Sequence, residues 1–314
     1  MVSFKELTRL PLFSGLPEET LSSIAKMLKE ERFNAGSLVI KEGDPADFFY
    51  ILRSGEMEVR KTIDRETEKH KTLAILEEGD IFGEMAIFGE EVRAADIVTI
   101  KDCVVWRMDF KDFLKLLETD PKLGIQLLKA MTLMLISRLR AVNQELATLY
   151  EVSRIISSTR NVGELTRMVF EQVMRDTHSA EAGFIAVWNR YNEEFDILHS
   201  LNLPLENILS IDDPLILELR EQMSSIMVRD FSERPALSKG FYKGSAMLVS
   251  PMIYKDELVG LIALINLSRK RAFAYSQMVL LSDVCTHLAS ALKNLEREDE
   301  DLMRERLSQK KVYY

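Results

Sequence analysis

Cysteine and histidine are scarce in this 314-residue chain, with two cysteines, Cys103 and Cys285, and four histidines. So few thiols exclude a disulfide framework and suit a reducing compartment. With no Cys-x-x-Cys pair and only scattered histidines, neither a structural zinc site nor any other metal is expected. Long apolar runs are also missing. The longest, Leu258–Leu267 (LVGLIALINL), holds ten residues, whereas a membrane-spanning helix needs about 18 or more. It reads as a buried strand, and no membrane association is expected. The N-terminal MVSFKELTRL lacks the apolar core of a secretory signal, which makes a cytoplasmic location the expectation.

Positive charge is in short supply as well. Lys and Arg number 41 against 50 Asp and Glu, a net charge of −9. By segment the balance is −8 over 1–120, +4 over 121–160 and −5 over 161–314. Duplex DNA is bound largely by neutralising phosphates on a basic face. Neither acidic segment offers such a face, and no basic recognition helix follows, so direct DNA binding is not expected. The chain has no P-loop, Gly-x-Ser-x-Gly, His-Glu-x-x-His, Gly-Gly-Asp-Glu-Phe or kinase catalytic loop. It is therefore not expected to be an enzyme.

What is present is an ordinary globular balance, 46% hydrophobic and 29% charged, long enough for two domains. The first 110 residues read as α+β and strand-rich. A helix is predicted over Glu18–Lys29, and strands over Ser37–Lys41, Phe48–Leu52, Met57–Lys61, Thr72–Leu76, Asp96–Ile100 and Val104–Met108. Gly36, Gly43, Gly55, Gly79 and Gly83 punctuate them where tight turns call for positive φ. Many short strands between turns predict a small barrel or sandwich.

A short helical run follows at Phe110–Leu117. Asp120-Pro121 then supplies an N-cap and a proline at the first helical position. Beyond Pro121 no further proline and one glycine, Gly124, occur before Ser158. In the register 125, 128, 132, 135, 139, 142, 146, 149, 153, 156, eight of ten positions are apolar. That spacing predicts a coiled coil and a homodimer through helix 121–158.

After Asn161 the pattern becomes α/β. Helices are predicted at Glu164–Asp176 and Pro214–Met223, with Asp212-Asp213 as the cap of the second. Strand pairs are predicted at Gly183–Asn189 with Glu194–Leu201, and at Met247–Tyr254 with Leu258–Leu267. A final helix is predicted over Tyr275–Leu307. The charged tail 297–314 reads as a surface helix.

The segment Phe82-Gly83-Glu84-Met85-Ala86-Ile87-Phe88-Gly89-Glu90-Glu91-Val92-Arg93-Ala94-Ala95 carries the chemistry. A helical turn over Glu84–Phe88 presents unpaired N–H groups to an anion, and Gly83 allows close backbone approach. Arg93 offers a planar donor fork to a phosphate. Glu84 can accept from a sugar hydroxyl. A carboxylate beside a phosphate site repels unless it faces a neutral part of the ligand, which points to one ligand carrying both groups.

With Phe33-x-x-Gly36, Ile40-x-x-Gly43, Tyr50-Ile51-x-x-x-Gly55, Gly79-Asp80 and a nine-residue spacing from Glu84 to Arg93, residues 10–142 resemble a cyclic-nucleotide-binding domain. The resemblance is to the catabolite activator protein and the regulatory subunits of cyclic-AMP-dependent kinase. It implies a β-roll of jelly-roll type, with Glu84 on the ribose 2′-hydroxyl and Arg93 on the cyclic phosphate. The backbone N–H groups of Gly83, Met85, Ala86 and Ala94 would help, with Ala95 closing the cassette. A serine or threonine at position 94 accompanies cyclic GMP preference in the family, so Ala94 favours cyclic AMP. The long helix would cover the base, with Arg138, Val142 and Asn143 as lid positions. The chain departs from the pattern at Val92, usually proline, and at Asp96, often threonine. Asp96 would weaken anion binding if it faced the pocket.

The entry helix from Leu149, the strand Ala182–Trp188 and the closing run Met247–Asn266 followed by the helix at 275–294 make residues 145–296 resemble a GAF domain. That implies an antiparallel sheet with flanking helices acting as a sensory module. The Asn-Lys…Phe…Asp-Glu pattern of cyclic-nucleotide-binding GAF domains is replaced by Asn266-Leu267…Phe273…Ser276-Gln277. Cys285 reads as a packed thiol, and His178 and His199 as ordinary polar residues. The expected organisation is a nucleotide-binding domain at 1–142, a GAF-like domain at 143–296 and the tail. The expected function is a cyclic AMP receptor signalling through the GAF domain to a partner protein. One alternative is a nucleotide-regulated transcription regulator. Another is a degenerate domain in which Glu84 and Arg93 merely pair with each other and the GAF domain is the sensor.

Overall fold

The computed structural model describes residues 4–8, 10, 13, 16–64, 69–85, 92–204, 206–268 and 273–310. The chain divides into two compact units, Met1–Arg140 and Ala141–Tyr314.

The first unit opens with α1 (Phe4–Leu7) and α2 (Glu18–Met27) and continues with eight strands. These are β1 (Lys29–Phe33), β2 (Leu38–Ile40), β3 (Phe48–Ser54), β4 (Met57–Asp64), β5 (Lys69–Leu76), β6 (Ile81–Phe82), β7 (Asp96–Thr99) and β8 (Cys103–Asp109). They form two antiparallel four-stranded sheets, ordered β1-β8-β3-β6 and β2-β7-β4-β5. Alternation along β3 explains the packing. Tyr50 and Leu52 face the core between the sheets with Ile40, Met57, Leu76 and Ile97. Phe49 and Ile51 face the helices with Leu21, Ile24, Trp106 and Phe113. The predicted helix at 18–29 ends at Met27, and its last residue opens β1. That strand (KEERF) is polar and largely exposed, and among the described residues it pairs with β8 alone, so it carries no apolar period.

All five punctuating glycines have positive φ. At Gly55 the need is double, because a Cβ there would lie 2.4 Å from the Sγ of Cys103. The β-roll leads into α3 (Phe110–Thr119) and α4 (Pro121–Ser158), whose start is capped by Asp120 Oδ1 accepting from Leu123 N–H at 3.1 Å.

The same α4 carries the chain into the second unit, where Val152 and Ile155 are buried in the core. There follow α5 (Val162–Asp176), β9 (Ala182–Asn189), β10 (Glu194–Leu201), β11 (Ile208–Leu209), α6 (Pro214–Gln222), β12 (Ile226–Val228), β13 (Ala246–Tyr254), β14 (Glu257–Asn266) and α7 (Tyr275–Lys310). The strands make one antiparallel sheet ordered β11-β10-β9-β14-β13-β12. Both its faces are covered. Val259, Ile262 and Leu264 pack against α5 and α7, while Leu258, Leu261, Ala263 and Ile265 pack with Phe184, Phe195 and Tyr242. This is why β14 reads as an unbroken apolar run. The short edge strands β11 and β12 leave no sequence signal of their own. Asp213 caps α6 by accepting from Leu215 N–H at 2.9 Å, with Pro214 at the first turn. Cys285 is a packed thiol, fully buried, and burial pushes its pKa up to about 12. Among the described residues, no helix is long and apolar enough to cross a membrane.

Candidate functional site

Among the described residues of the first unit two charged side chains are buried, Glu84 and Arg93, each 5% exposed. Local turns bring them together. Gly79 N–H donates to Leu52 O, and Leu52 N–H donates to Asp80 O, both at 2.8 Å, so the turn before β6 is pinned to β3. Asp80 Oδ2 accepts from Glu77 N–H at 2.8 Å and closes that turn. Gly83 then leaves β6 at φ +76°. On the other side, Arg93 N–H donates to Asp44 O and Gly43 N–H donates to Arg93 O, both at 2.9 Å, which fixes the Arg93 backbone before β3.

From there the Arg93 side chain reaches Gly83. Its Nη1 donates to Gly83 O at 3.0 Å, and a Cβ at position 83 would stand 2.6 Å from that nitrogen. Glycine at 83 therefore serves both the turn and the close approach. The guanidinium lies over the Phe48 ring, 4.5 Å from its centroid. Its other terminal nitrogen, Nη2, is buried without a hydrogen-bond partner among the described residues. Burial lowers the Arg93 pKa from its ordinary value. A desolvated cation with an unused donor is the arrangement that an anion completes.

Glu84 is held differently. Arg138, on α4, places Nη1 3.4 Å from Glu84 Oε1 and Nη2 2.9 Å from Asp80 Oδ1, and Nη2 also donates to Ile81 O at 2.8 Å. Burial raises the Glu84 pKa above its ordinary value, and Arg138 opposes this only in part. The pairing of Glu84 with Arg93 that a degenerate domain would show is absent, since the ionic partner of Glu84 is Arg138. Asp96 does not face an anion site freely either, because its Oδ1 accepts from Glu42 N–H at 2.7 Å.

Met85 is half exposed in the turn after Gly83, and Ala94 and Ala95 form the bend that leads into β7. Ala86 lies outside the described residues, as does most of the helical turn predicted over Glu84–Phe88. Val142 and Asn143 continue α4 beyond Arg138, exposed and in the second unit. Sequence reasoning missed Asp80 as a partner of Arg138 and Phe48 as a partner of Arg93. The strand alternation of FFYIL was the available signal for the face that Phe48 shares with Tyr50, but nothing local tied that face to Arg93.

Comparison with known proteins now bears on this geometry. Residues 30–120 match the family model described as cyclic nucleotide-binding domain, and residues 161–294 match the model described as GAF domain. A cGMP-dependent protein kinase of Caenorhabditis elegans is 35% identical over 112 residues, 35% of this chain and 14% of the kinase. A cAMP-dependent protein kinase regulatory subunit of Colletotrichum orbiculare is 36% identical over 111 residues, 35% of this chain and 27% of the subunit. The chain thus spans well under half the length of either curated relative. The crystal structure of the Thermus thermophilus catabolite activator protein is similar at 25% identity and a TM-score of 0.39, covering 50% of this chain and 71% of that one. The two family models identify residues 30–120 as a cyclic nucleotide-binding domain and residues 161–294 as a GAF domain, with buried Glu84 and Arg93 inside the first.

Proposed function

We propose that the first unit is a working receptor for cyclic AMP and that the chain is a regulatory protein rather than an enzyme. The observation that carries this is Arg93 Nη2, a buried cationic donor without a partner among the described residues. In this reading Arg93 holds the cyclic phosphate and Glu84 accepts from the ribose 2′-hydroxyl. The backbone of Gly83, Met85, Ala94 and Ala95 lines the phosphate side. Ala94 offers no hydroxyl to a guanine amino group, which favours adenine. Curated relatives named for cAMP and for cGMP both match this region, so the choice of base rests on that position.

Arg138 links the site to α4. Its guanidinium already pairs with Glu84 and Asp80, so a ribose hydroxyl on Glu84 competes with Arg138 and alters how α4 is held. The ligand shifts α4 only by its differential affinity for the two arrangements. Because α4 runs unbroken to Ser158 and packs Val152 and Ile155 into the GAF core, it is the proposed relay. The same helix leaves Ile125, Leu139, Val142 and Leu146 of the heptad register 48–67% exposed in the single chain. That pattern supports a homodimer through 121–158; the C-terminal helix is proposed as its second contact, with output to a separate protein.

The test is titration calorimetry of nucleotide-free protein with cyclic AMP and cyclic GMP, repeated with Arg93→Ala. Binding of cyclic AMP at micromolar or tighter affinity, weaker for cyclic GMP and lost in Arg93→Ala, is the expected result. No heat with either nucleotide in folded, empty protein overturns the receptor reading.

A further inference from the structure

The β3–β8 pairing sets Tyr50 opposite Arg107 and Phe48 opposite Asp109. Phe48 and Arg107 are therefore diagonal neighbours on one face of the sheet. The Arg107 guanidinium lies 3.9 Å from the centroid of the Phe48 ring, the same ring that meets Arg93 at 4.5 Å. Arg107 is itself anchored, with Nη2 2.9 Å from Asp109 Oδ1 and Nη1 3.6 Å from Glu31 Oε1. Glu31 Oε2 in turn accepts from the Tyr50 hydroxyl at 2.8 Å. The Phe48 and Tyr50 rings meet edge-on, with centroids 5.0 Å apart. Phe48 is thus boxed by groups that are fixed to the sheet.

A carboxylate beside Arg93 would hold it equally well, but it would neutralise the charge and repel an anionic ligand. An aliphatic side chain would fill the volume without attracting a cation. An aromatic face does both tasks, since its quadrupole attracts a guanidinium and leaves the charge and its N–H donors intact. Arg107 packs on the same ring, with its charge met by Asp109 and Glu31 and so not by the Arg93 side. We propose that Phe48, clamped by Arg107 and Tyr50, is a positioning residue that holds the Arg93 guanidinium for the phosphate of the nucleotide while keeping its charge available. This inference rests on the receptor reading above and assigns the part of the site that makes Arg93 effective.

Titration calorimetry of the full chain with cyclic AMP tests it, using Phe48→Leu and Phe48→Tyr in the wild-type and Arg93→Lys backgrounds, with urea unfolding as the control for folding. Phe48→Leu is expected to weaken binding about tenfold and Phe48→Tyr by no more than about twofold, because tyrosine keeps the aromatic face. In Arg93→Lys, where the planar guanidinium is gone, Phe48→Leu is expected to add less than about twofold, the non-additivity of a residue acting through its neighbour. Equal weakening by Phe48→Leu in both backgrounds overturns the inference, as does wild-type affinity in Phe48→Leu. If the wild-type protein binds neither cyclic AMP nor cyclic GMP, the receptor reading falls and takes this inference with it. Wild-type binding that Phe48→Leu leaves unchanged overturns this inference alone.

Discussion

In the first unit, Arg93 is buried with Nη2 unpartnered among the described residues and Glu84 is desolvated beside an arginine at 3.4 Å. In the second unit, the fully buried Tyr242 donates its hydroxyl to Asp213 at 2.6 Å, Ser225 donates to the buried Ser250 at 2.9 Å, and Thr148 donates to Asp176 at 2.5 Å. Among the described residues the GAF unit has one orphan, Asn266 Oδ1, on a side chain whose amide still donates to Ser179 O at 2.8 Å, and the first unit also leaves Arg60 Nε and Trp106 Nε1 unpartnered. The physical meaning of the two patterns differs. A polar group buried with its partners fixes a packing arrangement, whereas a charge buried without full compensation is held at a cost that an outside ligand can relieve. The GAF sheet face that carries Phe184, Phe195, Phe231, Leu237 and Tyr242 is filled by the chain itself. On this comparison the first unit is built to receive a ligand, and that face of the second is built as core.

The largest effect that could break the comparison is in the GAF core. Phe184 is fully buried, with ring centroids 5.2 Å from Phe241 and 6.1 Å from Tyr242. Phe184→Ala is expected to destabilise by about 3–5 kcal/mol in urea unfolding. A loss below about 1 kcal/mol would mean that the face is loosely packed and has room to take a ligand.

A smaller pair of changes tests the sign of the difference. Tyr242→Phe leaves Asp213 with its backbone donor but removes the hydroxyl bond, and a loss of about 1–2 kcal/mol is expected. Arg93→Met removes a buried polar group and its Nη1 bond to Gly83 O, yet its orphan donor disappears with it. Its empty-state stability is expected to stay within about 1 kcal/mol of wild type in the same urea experiment. If Arg93→Met proves as damaging as Tyr242→Phe, Arg93 is a structural residue and the contrast collapses.

Much of this was legible in the sequence because it is local. Pro121 and its cap mark the start of α4, and the five glycines mark five turns at φ 76–103°. Glu84 and Arg93 share one cassette, so their proximity needed little tertiary information. The GAF strands announced themselves through apolar runs buried on both faces. What stayed hidden was set by partners distant in sequence. β1 is a polar edge strand recognisable only by its pairing with Cys103–Arg107. The Arg138–Asp80–Glu84 cluster joins positions more than fifty residues apart. Phe48 and Arg107 meet only because two strands pair in one register. The helix period of 121–158 spoke for a long helix, but it could not say that Arg138 would turn its guanidinium to the site rather than to solvent.

The finest test concerns pH. Burial raises the Glu84 pKa above its usual 4.5, so the folded state binds this proton more tightly than the unfolded chain does. The stabilising share of Glu84 is therefore complete below the unfolded value near 4.5 and is lost as the pH rises through the higher folded value. At neutral pH the ionised carboxylate weakens the empty protein, with Arg138 offsetting part of the penalty. Glu84→Gln keeps an acceptor for Arg138 and removes the charge. Its urea midpoint is expected to exceed that of wild type at pH 7, by less than either change above, and the margin is expected to shrink as the pH falls toward 4.5. Other carboxylates titrate in both proteins and largely cancel in the difference. A margin that is flat with pH, or that widens on acidification, would show that Arg138 already compensates Glu84 in full. The carboxylate would then belong with the satisfied pairs of the GAF unit.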